Sequence, residues 1–123
     1  MVASNKGTVM KQLLFISFLA ISGCASVNGM RERSPDIVLT THKSPDTYGK
    51  CVAVAWGTHM SSKVNQGPLG NGGYTVNLLS YEAGSDAVLD AMPDGSGTVA
   101  KIWYRKSWLI GRKSFSKDAY DCE

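Results

Sequence analysis

The chain has 123 residues and a mass of 13.2 kDa, is 43% hydrophobic and 19% charged, and carries thirteen Lys and Arg against ten Asp and Glu. That length leaves room for one domain with a core and excludes a multidomain enzyme or wholesale disorder. A formal charge of +3 excludes a polybasic nucleic-acid binder and an acidic disordered tail.

The N-terminus reads as a leader. Lys6 and Lys11 form a positive front, no acid precedes Glu32, and residues 13–21 are an apolar run. That run is about half the ~20 residues a spanning helix needs, and small residues follow it, the pattern of a secretory signal peptide. Met10-Lys11 is an alternative start for this leader. Ile21-Ser22-Gly23-Cys24, an aliphatic residue, two small residues and a Cys, resembles the lipobox of bacterial lipoproteins. The resemblance implies a signal peptide over residues 1–23, cleavage before Cys24, and acyl chains on its thiol. Ala25, where Asp would signal retention, implies the outer membrane, with the domain facing the periplasm. Each buried methylene contributes about 0.8 kcal/mol, so two or three chains on one Cys anchor the domain durably.

Cleavage leaves 100 residues with eleven Lys and Arg against ten Asp and Glu, so the basic surplus belongs mostly to the leader. Nucleic acid is not expected as a partner. Cys51 and Cys122 then remain as an even pair in an oxidising compartment, the setting for a disulfide closing a loop of about 70 residues. A free catalytic thiol is the alternative.

Residues 24–43 are polar and contain Pro35, with one short apolar run at Ile37-Val38-Leu39. They read as a lipidated tether and an extended entry into a domain spanning 44–123. Ser44-Pro45-Asp46 is a helix start, and Tyr48, Cys51, Val52, Ala55 and Trp56 follow at helical spacing until Gly57. Cys51 falls on that apolar stripe. A short strand around residues 63–66 and a mobile loop over 67–73 come next. Strands are expected over 74–81, 87–92 and 98–105, the last two joined by a five-residue hairpin loop, Pro93-Asp94-Gly95-Ser96-Gly97. On the last strand Ala100, Ile102 and Tyr104 share the face toward the helix, while Val99, Lys101, Trp103 and Arg105 take the other. Asp90 then lies across from Lys101 as an exposed pair of little weight. Residues 108–111 form a hydrophobic turn or short strand, and Ser114 or Ser116 caps a final helix ending near Cys122. The implied class is α+β: one amphipathic helix packed on a small antiparallel sheet of three or four strands, a short C-terminal helix and one disulfide.

Candidate sites are few. The glycine-rich run leads into a strand pattern without GK[ST], which does not fit a phosphate loop. His42 and His59 flank a helix about 18 Å long, too far apart to share a metal. Asp86, Asp90 and Asp94 are spaced for a helix but lie in strand-like sequence, so they do not make a hydrolase pair. No catalytic or cofactor motif occurs. The C-terminal third is more uneven: an acid-free basic run that extends to Lys117, with Tyr104 and Phe115 among its aromatics, centres on Lys101, Arg105, Lys106, Arg112 and Lys113 interleaved with Trp103 and Trp108. In an envelope setting these residues make a candidate surface for an acidic protein or an anionic envelope polymer. More loosely, the mature part resembles small proteobacterial lipoproteins without assigned activity. Ser44-Pro45-Asp46, Cys51 with Val52 and Trp56, Gly73-Tyr74-Thr75-Val76, Asp94-Gly95-Ser96-Gly97 and Cys122 carry that resemblance, and no functional residue transfers through it. The expectation is a non-enzymatic, membrane-anchored lipoprotein that binds another envelope component. An inhibitor or immunity-type lipoprotein and a small cell-envelope enzyme are the alternatives.

Overall fold

The computed structural model describes residues 27–59, 63–80, 84–106, 108 and 111–123. The leader and Cys24 lie outside these residues. Eight elements follow one another: α1 (Val27–Arg31), β1 (Ile37–Thr41), α2 (Pro45–Gly57), β2 (Lys63–Leu69), β3 (Gly73–Ser80), β4 (Gly84–Asp94), β5 (Gly97–Tyr104) and α3 (Arg112–Asp121). The strands form one antiparallel sheet in the order β1-β5-β4-β3-β2. The class is α+β, with five strands where three or four were expected. Among the described residues no helix is long and apolar enough to cross a membrane.

Two sequence features hid the extra strand and its neighbours. β1 offers only three strongly apolar residues in a polar stretch, so it reads as part of a tether, yet it pairs with β5 along its whole length. The domain therefore includes residues 27–43, with α1 and β1 in place of a free linker. The expected mobile loop over 67–73 is instead strand and hairpin: Leu69 pairs with Gly73 across a three-residue turn. There Asn71 and Gly72 take positive φ, a conformation that suits Asn and Gly. The β4–β5 loop is likewise tighter than expected, because Asp94 pairs with Gly97 and leaves a two-residue turn.

One face of the sheet carries the main core. Val76, Leu78, Ala87, Leu89, Ala91, Ala100, Ile102 and Tyr104 are buried there beneath α2 and α3. The expected face of β5 toward the helix is correct for Ala100, Ile102 and Tyr104. α2 begins at Pro45 and ends at Gly57 as its sequence signals predict. Its buried stripe is Tyr48, Gly49, Val52, Ala53 and Trp56. Cys51, expected on that stripe, is exposed, because the helix turns its Gly49 side against Tyr74 of β3. A Cβ at Gly49 would run into the Tyr74 ring, so the glycine that weakens the helix locally permits its docking. α3 begins at Arg112, with Gly111 at φ 97° before it, so Ser114 and Ser116 lie inside the helix instead of capping it.

The other face is covered in part by α1. Met30 packs with Val88 and Trp103 in a second small cluster, and the Trp103 indole N–H donates to the Arg33 carbonyl at 2.9 Å. Arg31 grips Asp90 with two bonds of 2.7 and 2.9 Å. The register sets Asp90 opposite Lys101 as expected, but its carboxylate bonds Arg31 and is only 8% exposed. The expected exposed Asp90–Lys101 pair is thus replaced by a half-covered clamp that holds α1. Breaking a buried pair costs about 3–5 kcal/mol. With the Arg31 side chain 27% exposed, Asp90→Ala is expected to cost less, about 2 kcal/mol in urea denaturation, the range of hydrogen bonds to a charged group. Hydrogen exchange at α1 amides should accelerate with it, and unchanged protection there would remove the clamp.

Candidate functional site

The seven residues read as one surface divide between the two faces of the sheet. Lys101 is exposed on the α1 face, where Trp103 is buried. Arg105 donates to Asp86 at 2.6 Å. Trp108 sits on the opposite side, its ring centroid 5.7 Å from Tyr104 and 5.2 Å from Phe115. Arg112 is a strut: its guanidinium donates to the carbonyls of Trp108 and Arg105 and lies over the Tyr104 ring. Lys106 and Lys113 are exposed.

Around Arg112 and Lys113 the fold makes a shallow, largely open groove of about 700 Å³ between the start of β1 and α3. Helical spacing explains its wall. Arg112, Ser116 and Tyr120 recur every fourth residue, Lys113 and Lys117 do the same beside them, and all five line it. This periodicity was the available signal for Ser116 and Tyr120, which the sequence reading of the basic run omits. Asp36, Ile37 and Tyr104 complete the lining, and their long-range approach has no local signature.

The groove is basic. Its one lining acid, Asp36, already accepts a bond from the Tyr104 amide at 2.7 Å. Lys117 is held above its ordinary pKa by the Asp121 carboxylate at 2.6 Å, so it stays charged at neutral pH. Tyr104 and Ser116 hydroxyls lie 2.6 Å apart on the groove side. Burial raises the Tyr104 pKa, so this pair is neutral at physiological pH. Half-exposed Tyr120 adds an apolar ring.

Cys51 and Cys122 form the expected disulfide, with Cα atoms 5.9 Å apart, joining α2 to the end of α3. His42 is exposed after β1, whereas His59 Nε2 meets Asp118 Oδ2 at 2.6 Å and its ring stacks on Phe115. The three aspartates of β4 stand apart: Asp86 pairs with Arg105, Asp90 with Arg31, and Asp94 is exposed at the hairpin. Compared with protein-family models, curated proteins and solved structures, the chain shows no significant match.

Proposed function

We propose that the protein is a membrane-anchored envelope lipoprotein that acts by binding, taking an acidic envelope component in the groove between β1 and α3. The observation that supports this reading is the groove itself: Arg112, Lys113 and Lys117 line it, Arg112 braced on backbone carbonyls and Lys117 sharing its charge with Asp121, against one lining acid already engaged. Basic side chains on a concave, partly apolar surface attract carboxylates and phosphates and speed their encounter. With acyl chains on Cys24, two residues, Ala25 and Ser26, separate the anchor from α1 at Val27, at most about 11 Å of chain. The domain is then held close to the bilayer, at high local concentration for a neighbouring envelope component.

The His59–Asp118 contact favours a second reading, a small envelope enzyme, since a carboxylate that orients an imidazole is a common base arrangement. Among the described residues no hydroxyl or thiol bonds that ring, and the pair ties the end of α2 to α3.

Two measurements test the proposal. Cys24→Ala should move the protein from the membrane fraction to the soluble fraction, and unchanged membrane association overturns the anchor. Fluorescence anisotropy with a labelled polyglutamate chain should give saturable binding at low salt that weakens at least tenfold in Lys113→Glu/Lys117→Glu. Equal binding by both proteins overturns the groove as the site.

A further inference from the structure

We infer that the acidic partner is an extended peptide segment that adds to β1 as a sixth strand, with its alternate side chains in the groove. This rests on the binding role proposed above and specifies the ligand's chemistry. An edge strand offers a row of unused backbone donors and acceptors, and proteins usually protect such edges with Pro, Gly, Lys or bulges. The two edges of this sheet are treated differently. β2 carries Lys63, Gly67 and Pro68, and proline has no N–H to offer. β1 reads Ile37-Val38-Leu39-Thr40-Thr41, uncharged and mostly β-branched, with neither Pro nor Gly. It pairs with β5 on one side and with no described strand on the other.

The groove lies beside this edge. Ile37 belongs to both the strand and the groove lining, and α3 stands over it with Lys113, Lys117 and Tyr120. Side chains of an added strand point to opposite faces in turn. Those toward the groove meet an apolar site at Ile37 and Tyr120 and a cationic one at Lys113, with Lys117 beside it sharing its charge with Asp121. Those on the other side pass Val38, which is 56% exposed. The segment that fits places an apolar residue and an acid two positions apart. Backbone bonds would supply affinity and the alternate side chains selectivity, the general logic of strand addition.

The probe is the labelled, blocked octapeptide Thr-Val-Thr-Glu-Thr-Val-Thr-Glu, titrated into the full chain by anisotropy. Saturable binding is expected, with protection of β1 amides in hydrogen exchange. The same peptide N-methylated at every second residue should bind at least tenfold more weakly, as should its Glu→Lys counterpart. Lys113→Glu/Lys117→Glu should weaken the parent peptide by a similar factor. If N-methylation has no effect, strand addition is overturned. If polyglutamate binds the groove but the octapeptide does not, the binding role stands and the sixth strand falls. Concentration-dependent dimerisation that protects β1 without peptide would assign the edge to a second copy of the chain, and would also overturn the inference.

Discussion

Breaking the Cys51–Cys122 bridge is expected to lower the unfolding free energy by about 4 kcal/mol. The bridge closes a loop of 71 residues, and the chain-entropy model assigns roughly that much to a loop of this length. Domains of this size hold only ~5–15 kcal/mol in total, so the loss is a large share and should lower the melting temperature by about 20 °C. The suitable variant is Cys51→Ser/Cys122→Ala, because Cys51 is exposed whereas Cys122 is 3% exposed and a buried hydroxyl there would add its own penalty. In urea denaturation under oxidising conditions the variant should unfold at lower denaturant than wild type. Under reductant the two curves should converge. A wild-type curve unmoved by reductant would show that packing, not the covalent link, holds α3 to α2. The terminal carbonyl side adds little to prevent this loss: Lys43 Nζ donates to the Cys122 carbonyl, a single half-exposed contact.

The legible parts of this chain are those whose signal is local. Ser44-Pro45 and Gly57 mark both ends of α2, and the alternation of β5 sets Ala100, Ile102 and Tyr104 toward the core. Cys51 and Cys122 form the expected bridge. What escapes is decided by partners distant in sequence. β1 is a strand because β5 offers it an edge, and Asp90 is covered because Arg31, 59 residues away, reaches it. The rotation of α2 that exposes Cys51 depends on Gly49 meeting the Tyr74 ring, a contact between elements with no periodic trace. The C-terminal basic run shows the same limit. Its composition is plain, but a sheet sends alternate residues to opposite faces, so Trp103 and Arg105 part company with Trp108 and Lys113. The groove becomes visible in sequence only when residues 112–121 are read with helical spacing.

Trp56→Ala is expected to be among the most damaging single substitutions, costing about 3–5 kcal/mol. The indole is fully buried, meets Phe115 edge-on at 5.8 Å, and donates to the Phe115 carbonyl at 3.1 Å. One turn further along α3, the buried Tyr48 hydroxyl donates to the Ala119 carbonyl at 2.7 Å. α2 therefore holds α3 by two aromatic side chains, and α3 is the wall of the groove. Trp56→Phe keeps most of the ring and removes the donor, so about 1–2 kcal/mol should be lost. Tyr48 adds a pH signature. Burial raises its pKa above the usual 10, so above pH 10 the unfolded chain releases a proton that the folded chain retains, and stability falls as pH rises. Tyr48→Phe should flatten that alkaline decline in part, since Tyr104 shifts in the same direction. Binding separates the roles of these residues. Trp56→Phe should weaken the acidic peptide in proportion to its loss of stability, because the wall loosens, whereas Lys113→Glu/Lys117→Glu should weaken it at least tenfold with only the small stability loss of an exposed Lys117–Asp121 pair. A Trp56→Ala protein as stable as wild type would mean that the indole does not hold α3, and that the disulfide, Tyr48 and the His59–Asp118 pair suffice.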